Sequence, residues 1–139
     1  MRDRQFMLDT NIVSHMIRFP MGDVVRRVGL TGIDKICISA LVACELRYGA
    51  VKRASPRLSA LVENLIGRLD VLPYEVSASR SYALIRHDLA MSGRLIGPVD
   101  LFIAAHALSL DMTLVTDNVR EFSRIDRLKI ENWLEQTLP

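Results

Sequence analysis

Acidic side chains in this sequence stand at the ends of predicted strands and in predicted helices that follow strands. Asp9 follows a short apolar run, and Asp117 and Asn118 follow a second one. Asp100 lies in the first turn of a helix pattern that opens with Gly-Pro, and Glu45 lies inside another helix pattern. Ligands of open α/β sheets bind outside the carboxyl ends of the strands, so the spacing predicts that several of these side chains share one cleft.

A cleft lined by a few carboxylates suits the hydrolysis of a phosphodiester bond with help from a divalent cation. The reaction puts negative charge on the attacking, leaving and phosphoryl oxygens, and Mg²⁺ stabilises that charge and lowers the pKa of a bound water. Mg²⁺ takes oxygen ligands and keeps several of its waters. The residue types therefore predict a Mg²⁺ site, in which Mn²⁺ is an alternative ion.

Each of these residues also has a purely structural interpretation. Asp9 could cap a helix, and Asp100 could serve only as a favourable charge at a helix N-terminus. Asp117 and Asn118 could form a turn after a strand. Glu45 and Glu121 could be solvated surface acids. Position alone leaves both interpretations open.

The remaining sequence predicts the elements that would position these side chains. Short apolar runs predict strands at 6–9, 36–39, 71–73, 113–116 and 129–130. Amphipathic or apolar periodicity and capping residues predict helices at 10–18, 22–30, 40–53, 57–69, 76–92 and 99–109, with one helical turn at 119–122. The alternation predicts an α/β fold with a central, mostly parallel sheet covered by helices on both faces. Its 139 residues suit a single domain, 1–139.

Other kinds of reactive site have little support. Cys37 and Cys44 both have apolar neighbours, so we expect two small buried side chains and no disulfide. The three histidines have no zinc-like spacing, and His106, on an apolar helix pattern, is predicted to be packed and hydrogen-bonded. Phosphate-binding glycine loops and the Gly-x-Ser-x-Gly nucleophile motif are absent.

Charge and hydropathy narrow the class of protein further. The net charge of +2 is too small to indicate a polyanionic partner, although 15 of the 18 basic residues are Arg, which suits phosphate recognition. A GC-rich genome would explain the same bias. The sequence has neither an apolar run long enough for a membrane span nor a signal-peptide pattern, so we expect a cytoplasmic protein.

Four sequence blocks resemble those of PIN-domain nucleases, most closely the VapC toxins of bacterial toxin–antitoxin pairs. They occur in the family's order and cover nearly the whole chain: Met7-Leu-Asp-Thr-Asn-Ile12; Ile38-Ser39 with Glu45-Leu46 and Tyr48-Gly-Ala50; Gly97-Pro98 with Asp100 and Ile103-Ala-Ala-His-Ala107; and Leu114-Val-Thr116, Asn118, Glu121-Phe122, Arg124-Ile125, Leu128 and Glu131-Asn-Trp133. The resemblance implies a PIN-like sheet with acidic residues gathered at one mouth.

The resemblance also implies roles for individual residues. Asp9 and Asp100 would bind Mg²⁺ directly, and Glu45 would bind through water or orient the attacking water. The family's fourth acidic position aligns with Asn118, which we include in the catalytic set. The supporting residues, which would hold the site in shape or act around it, are Thr10, Asn11, Ser39, Thr116, Asp117 and Glu121.

The activity implied by the resemblance is metal-dependent endonucleolytic cleavage of RNA that stops translation, with a tRNA anticodon stem-loop, such as that of initiator tRNA, as the expected target. Arg47, Arg94 and Arg120 are candidates to bind its phosphates. The implied partners are a VapB-like antitoxin, through which alone the complex would bind operator DNA, and a second copy of the chain. The helix predicted at 57–69 could supply surface for either, or simply pack in the core.

Two other functions remain open at this point. A PIN-like chain could be catalytically silent and act as a binding module, although a scaffold has no need to gather Asp9, Glu45 and Asp100. A Mg²⁺-dependent phospho-receiver or phosphatase domain would also put acids at strand ends, although Asn11 stands where the phosphatase Asp-x-Asp pattern has its second Asp.

Overall fold

The computed structural model describes residues 3–134, which leaves both ends of the predicted 1–139 domain outside the described part. The strands are β1 (Phe6–Leu8), β2 (Ile36–Ser39), β3 (Asp70–Leu72), β4 (Thr113–Val115) and β5 (Ile130–Glu131). The helices are α1 (Thr10–Arg18), α2 (Asp23–Thr31), α3 (Ala40–Lys52), α4 (Pro56–Arg68), α5 (Val76–Met91), α6 (Pro98–Ser109) and α7 (Val119–Phe122). Every predicted element is present, and a 3₁₀ turn at Ile33–Lys35 adds one that the pattern did not indicate.

All five strands form one parallel sheet in the order β3-β2-β1-β4-β5. The chain starts at the centre, moves outward to β3, and then crosses back to place β4 on the free side of β1. Right-handed crossovers put the helices before β3 and those after it on opposite faces. The strand order therefore reverses between β1 and β4, which is where open α/β sheets bind their ligands.

Capping residues account for several element boundaries. The Asp9 side chain accepts from the Thr10 backbone N–H at the start of α1, and Ser39 accepts from Leu41 N at 3.1 Å at the start of α3. Pro98 occupies the first turn of α6, where its missing N–H costs nothing. Gly93, just after α5, has a φ of +67°, a conformation that favours glycine.

Two predicted strands are shifted by one residue. The third begins at Asp70, which pairs with Cys37, and ends before Pro73, since proline has no N–H to give to a ladder. The last runs over Ile130–Glu131, and the Glu131 carbonyl accepts from the Thr116 N–H at 2.9 Å. The second shift matters for the site, because it ties the C-terminal strand to the residue that follows β4.

The core lies on both faces of the sheet and confirms most of the expected burial. Cys37 is fully buried on β2, and His106 is 2% exposed. The expectation for Cys44 is wrong, because its side chain is exposed on α3. Its neighbour Ala43 faces the core, and one residue further along a helix turns the side chain by about 100°. No helix among residues 3–134 has the length and apolar character needed to cross a bilayer.

Candidate active site

Asp9 is held rigidly at the point where the strand order reverses. Its side chain is 5% exposed, and both carboxylate oxygens are occupied: Thr116 Oγ1 donates to Oδ2 at 2.8 Å and the Thr10 N–H donates to Oδ1 at 2.8 Å. The pairing of Leu8 with Val115 puts these residues side by side. Burial raises the pKa of Asp9, the two hydrogen bonds lower it, and the nearby Glu45 and Asp117 carboxylates raise it further.

Glu45 reaches the same place from α3. Thr10 Oγ1 donates to its Oε1, which joins the first turn of α1 to the second turn of α3. The start of α3 is fixed in turn by Ser39, whose fully buried hydroxyl also lies 2.8 Å from Nδ1 of His106 on α6. Burial lowers the pKa of His106, so the ring is neutral and the contact is a hydrogen bond between uncharged groups. Ser39 therefore supports the site through the position of α3.

Asp100 and Glu121 form a carboxyl pair on the other side of the site. Burial raises the pKa of Asp100 to about 7, and the hydrogen bond with Glu121 and repulsion from Glu121, Asp9 and Glu45 act in the same direction. Burial also acts to raise the pKa of Glu121, but hydrogen bonds with Asp100, the Gly97 N–H and Asn118 outweigh it and leave the value lowered. The pair therefore shifts the pKa values of its two carboxyl groups in opposite directions, upward for Asp100 and downward for Glu121.

Asn118 and Asp117 have different surroundings although they are adjacent. The Asn118 side-chain amide donates to Glu121 Oε2, and its backbone N–H donates to Thr116 Oγ1 at 3.0 Å. The exposed Asp117 accepts from Asn11 Nδ2 at 3.1 Å. Asn118 therefore acts through Glu121: its amide holds the Glu121 carboxyl group beside that of Asp100.

Gly97 contributes to the site in a way that the sequence pattern did not indicate. Its N–H donates to Glu121 Oε1 at 2.6 Å. A Cβ at this position would stand 3.4 Å from Asp100 Oδ2 and 3.6 Å from Glu121 Oε1, and so would cover both carboxyl groups. In the sequence, the Gly-Pro pair predicts a helix start and forms part of a family block, but neither pattern assigns Gly97 a contact in the site, and glycine at that position is the one available signal.

The three arginines predicted to bind phosphate do not form one cluster with the acids. Arg47 is held by Glu63 of α4, with Nη2–Oε1 at 2.8 Å and Nε–Oε2 at 3.0 Å. Arg94 and Arg120 are exposed, and the Arg94 carbonyl accepts a long bond of 3.4 Å from Arg124. Arg94 and Arg120 remain available to an anion, whereas Arg47 would first have to leave Glu63.

The carboxyl groups fit a hard cation that keeps part of its water shell. Within residues 3–134, no three His, Cys, Asp or Glu side chains make a ready-made protein cage for a metal. Mg²⁺ does not need one, because it usually binds through one or two carboxylates and several waters. Burial, the hydrogen bond with Glu121 and repulsion from Glu121, Asp9 and Glu45 together raise the pKa of Asp100 to about 7, and a bound cation would relieve the repulsion.

Comparison with known proteins assigns most of the chain to one family model. Residues 6–128 match the PIN domain, a span that begins with β1 and ends two residues before β5. The chain is 42% identical over 130 residues to the tRNA(fMet)-specific endonuclease VapC of Shigella flexneri, which covers 93% of this chain and 98% of that protein. It is 38% identical over 131 residues to ribonuclease VapC2 of Haemophilus influenzae, covering 94% and 98%.

Solved structures agree with this similarity. The DNA-bound VapBC complex of Salmonella typhimurium contains a chain that matches with a TM-score of 0.88 at 41% identity, covering 94% of this chain and 98% of that one. VapBC2 of Rickettsia felis, bound to a fragment of its promoter DNA, matches with a TM-score of 0.85 at 32% identity, covering 92% and 98%. The sheet and helices described above are thus those of a known architecture.

Proposed function

The chain belongs to the VapC family of PIN-domain ribonucleases, and on that premise we propose that it is a Mg²⁺-dependent endoribonuclease that cleaves a tRNA in its anticodon stem-loop. It is the toxin of a toxin–antitoxin pair, and its cognate partner is a VapB-like antitoxin. The observation that carries the chemical proposal is the convergence of Asp9, Glu45, Asp100 and Glu121 at the point where the strand order reverses.

Each acidic residue has a task that follows from its contacts. Asp9 and Asp100 would hold the cation, since one is fixed by two hydrogen bonds and the other stands opposite it in the repulsive cluster. Bound Mg²⁺ would supply charge stabilisation to the phosphate oxygens and make a water molecule more acidic. Glu121, tied to Gly97 and Asn118, would keep the Asp100 carboxyl in position.

Glu45 would direct the nucleophile. Thr10 occupies its Oε1, and Oε2 is left to accept a hydrogen bond from water. In the reaction, the oxygen of that water bonds to phosphorus while the bond from phosphorus to one ribose oxygen breaks. The proton lost by the water passes to solvent through the Glu45 carboxylate, and the leaving ribose oxygen takes up a proton from solvent. We propose that the cation is Mg²⁺, with Mn²⁺ as the alternative.

The substrate assignment rests on the relatives. The Shigella protein is a tRNA(fMet)-specific endonuclease, and the similarity spans nearly all of both chains. Structured RNA is recognised largely through the shape of its loops and exposed bases, which requires no large net charge. We therefore propose initiator tRNA as the substrate, and Arg94 and Arg120 as two of its phosphate contacts.

The assembly follows from the solved relatives in the same way. The two solved complexes described above are toxin–antitoxin complexes, and both are bound to DNA. The antitoxin of this chain supplies the contacts to operator DNA. We further propose that two copies of this chain form the toxin dimer within that complex.

Cleavage of purified initiator tRNA tests the proposed activity. Antitoxin-free protein is incubated with the tRNA in Mg²⁺, in Mn²⁺ and in chelator, beside Asp9→Asn and Asp100→Asn. We expect one discrete cut by the wild type with metal, and at least a hundredfold slower cutting by either variant or in chelator. Equal cutting by all three proteins would mean that other residues do the chemistry. No cutting under any condition would favour a catalytically silent binding module.

A further inference from the structure

A groove of about 470 Å³ leads away from the acidic site between α1, α3 and α4. It begins at the hydrogen bond between Thr10 and Glu45. Its far part is lined by Arg18, Arg53 and Arg57, and we call it the arginine groove. Because Glu45 belongs both to the groove and to the acidic cluster, a ligand that lies in the groove would also reach the proposed reaction centre.

Two helical stripes give the groove its direction. On α1, Thr10, Ser14 and Arg18 are spaced i, i+4 and i+8, so they share one face of the helix. Glu45 and Arg53 are related in the same way on the α3 side. Eight residues of helix rise about 12 Å, so each stripe runs from an active-site residue to an arginine about that far away.

The three arginines have no acidic partner in the part of the chain that the structure describes. Two other arginines are paired: Arg47 of α3 is held by Glu63, and Arg27 contacts Glu131. The three arginines of the groove are exposed and make no ion pair within residues 3–134. Glu45 is the sole acidic lining residue of the groove. The groove therefore pairs one reactive acidic end with a surplus of positive charge at the other.

Gly49 keeps the middle of the groove open. It lies on α3 between Glu45 and Arg53, and a Cβ built on it would meet no atom within 4 Å. A helix position with that much space accepts alanine or a longer side chain, and glycine there costs about 1 kcal/mol of helix stability. The absent side chain leaves room for a ligand to pass from one end to the other.

We propose that the arginine groove binds the phosphates of the RNA strand next to the cleaved bond, an inference that rests on the proposed function. Arginine presents a planar fork that matches phosphate oxygens, and three arginines from the three helices around the far part of the groove suit a polyanionic strand. The strand would enter the acidic site at Glu45 and continue past Gly49 toward Arg18, Arg53 and Arg57. A net charge of only +2 is compatible with this because the positive charge is concentrated locally.

RNA affinity as a function of salt tests this assignment. Labelled initiator tRNA is titrated with protein carrying Asp100→Asn, which slows cleavage, at several KCl concentrations. Adding Arg53→Gln with Arg57→Gln should weaken binding roughly tenfold at low salt, and should reduce the slope of log affinity against log salt by about 1.4, since each phosphate contact on a single strand contributes about 0.7. Adding Arg80→Gln with Arg127→Gln removes the same charge from exposed sites outside the groove and should change neither quantity.

A second variant fills the groove without changing its charge. Gly49→Gln should weaken tRNA binding severalfold while the salt slope stays the same, and should not lower the free energy of unfolding. Unchanged affinity and slope in both groove variants, with wild-type cleavage intact, would overturn the arginine groove and leave the proposed function standing. If Arg53→Gln with Arg57→Gln weakens binding of the antitoxin but leaves tRNA binding unchanged, the groove binds an acidic antitoxin segment and the RNA assignment is overturned. A wild type that neither binds nor cuts tRNA would refute both.

Discussion

At the scale of single residues, the site depends on hydroxyl and amide groups that aim the carboxylates. Thr116 and Thr10 fix Asp9 and Glu45, while Gly97 and Asn118 fix Glu121. Such supporting groups matter because a cation binds strongly only when its ligands are already in place. Thr116 is the most constrained of them, being fully buried and hydrogen-bonded to both Asp9 and Asn118.

Thr116→Val should weaken metal use without unfolding the protein. Valine keeps the shape of the buried side chain but removes the donor to Asp9, so we expect the Mg²⁺ concentration for half-maximal cleavage to rise about 10- to 100-fold. A metal titration of the cleavage rate measures this. Thr113→Val, at the start of the strand that Thr116 follows and with no side-chain hydrogen bond in the described structure, should behave like the wild type. Equal metal requirements in all three proteins would contradict the role of Thr116.

The acidic cluster should lower the free energy of unfolding of the metal-free protein relative to a variant that lacks one of the carboxylates. Burial and repulsion from Glu121, Asp9 and Glu45 disfavour the ionised form of Asp100, so Asp100→Asn should raise the free energy of unfolding by about 1 to 2 kcal/mol in chelator. Urea unfolding at neutral pH measures it. Asp126→Asn, at an exposed position outside the cluster, is the control and should have almost no effect. A destabilised Asp100→Asn variant would show that the carboxyl group contributes more through hydrogen bonds than it costs in repulsion.

At the scale of elements, the start of α3 connects the fold to the chemistry. Ser39 ends β2, caps α3 and lies against His106 of α6, so one hydroxyl links three elements. Glu45 follows on the second turn of the helix that this residue begins. The Ser39 cap therefore fixes where the helix that carries Glu45 begins.

Ser39→Ala should cost more than the loss of an ordinary cap. It removes the acceptor for Leu41 N and leaves His106 Nδ1 without a partner in the core, so we expect a loss of about 2 to 3 kcal/mol in the free energy of unfolding. Ser55→Ala removes a cap of α4 that has one partner, Leu58 N, and should cost about 1 kcal/mol. Equal losses measured by urea unfolding would mean that the contact with His106 contributes nothing.

At the scale of the whole molecule, the last strand, β5, forms the edge of the sheet beside the site. Trp133 is 1% exposed, packs against Phe6 with ring centroids 5.3 Å apart, and has the Arg27 guanidinium over its ring. The adjoining strand residue Glu131 accepts the Thr116 N–H. The backbone hydrogen bond between Glu131 and Thr116 thus links the packing of Trp133 to the Thr116 hydroxyl that holds Asp9.

Trp133→Ala should therefore affect both stability and metal use. We expect a loss of about 3 to 5 kcal/mol in the free energy of unfolding and a higher Mg²⁺ requirement for cleavage at a temperature where the variant is still folded. Leu89→Ala, a buried change on α5, should lower stability by about 2 to 5 kcal/mol and leave the Mg²⁺ requirement alone. Equal Mg²⁺ requirements in the two variants would show that β5 does not influence the site.

The sequence by itself determined the elements and the side chains that end up at the mouth of the sheet. Asp9, Ser39 and Pro98 mark helix starts through contacts with their nearest neighbours, and apolar periodicity marks the strands and helices between them. These are local effects, and they are complete within a few residues. That is why the α/β class, the parallel sheet and the positions of Asp9, Glu45 and Asp100 were predictable.

Only the tertiary structure decided which of those side chains meet. Thr116 reaches Asp9 across 107 positions, and Glu121, not Asn118, presents the carboxyl beside Asp100. Cys44 proved to be exposed, because the side of a helix that faces the core depends on its packing partners and not on the polarity of its neighbours. Long-range pairs depend on strand order, register and helix packing, which no local stretch of sequence contains, and so they had to be observed in the folded molecule.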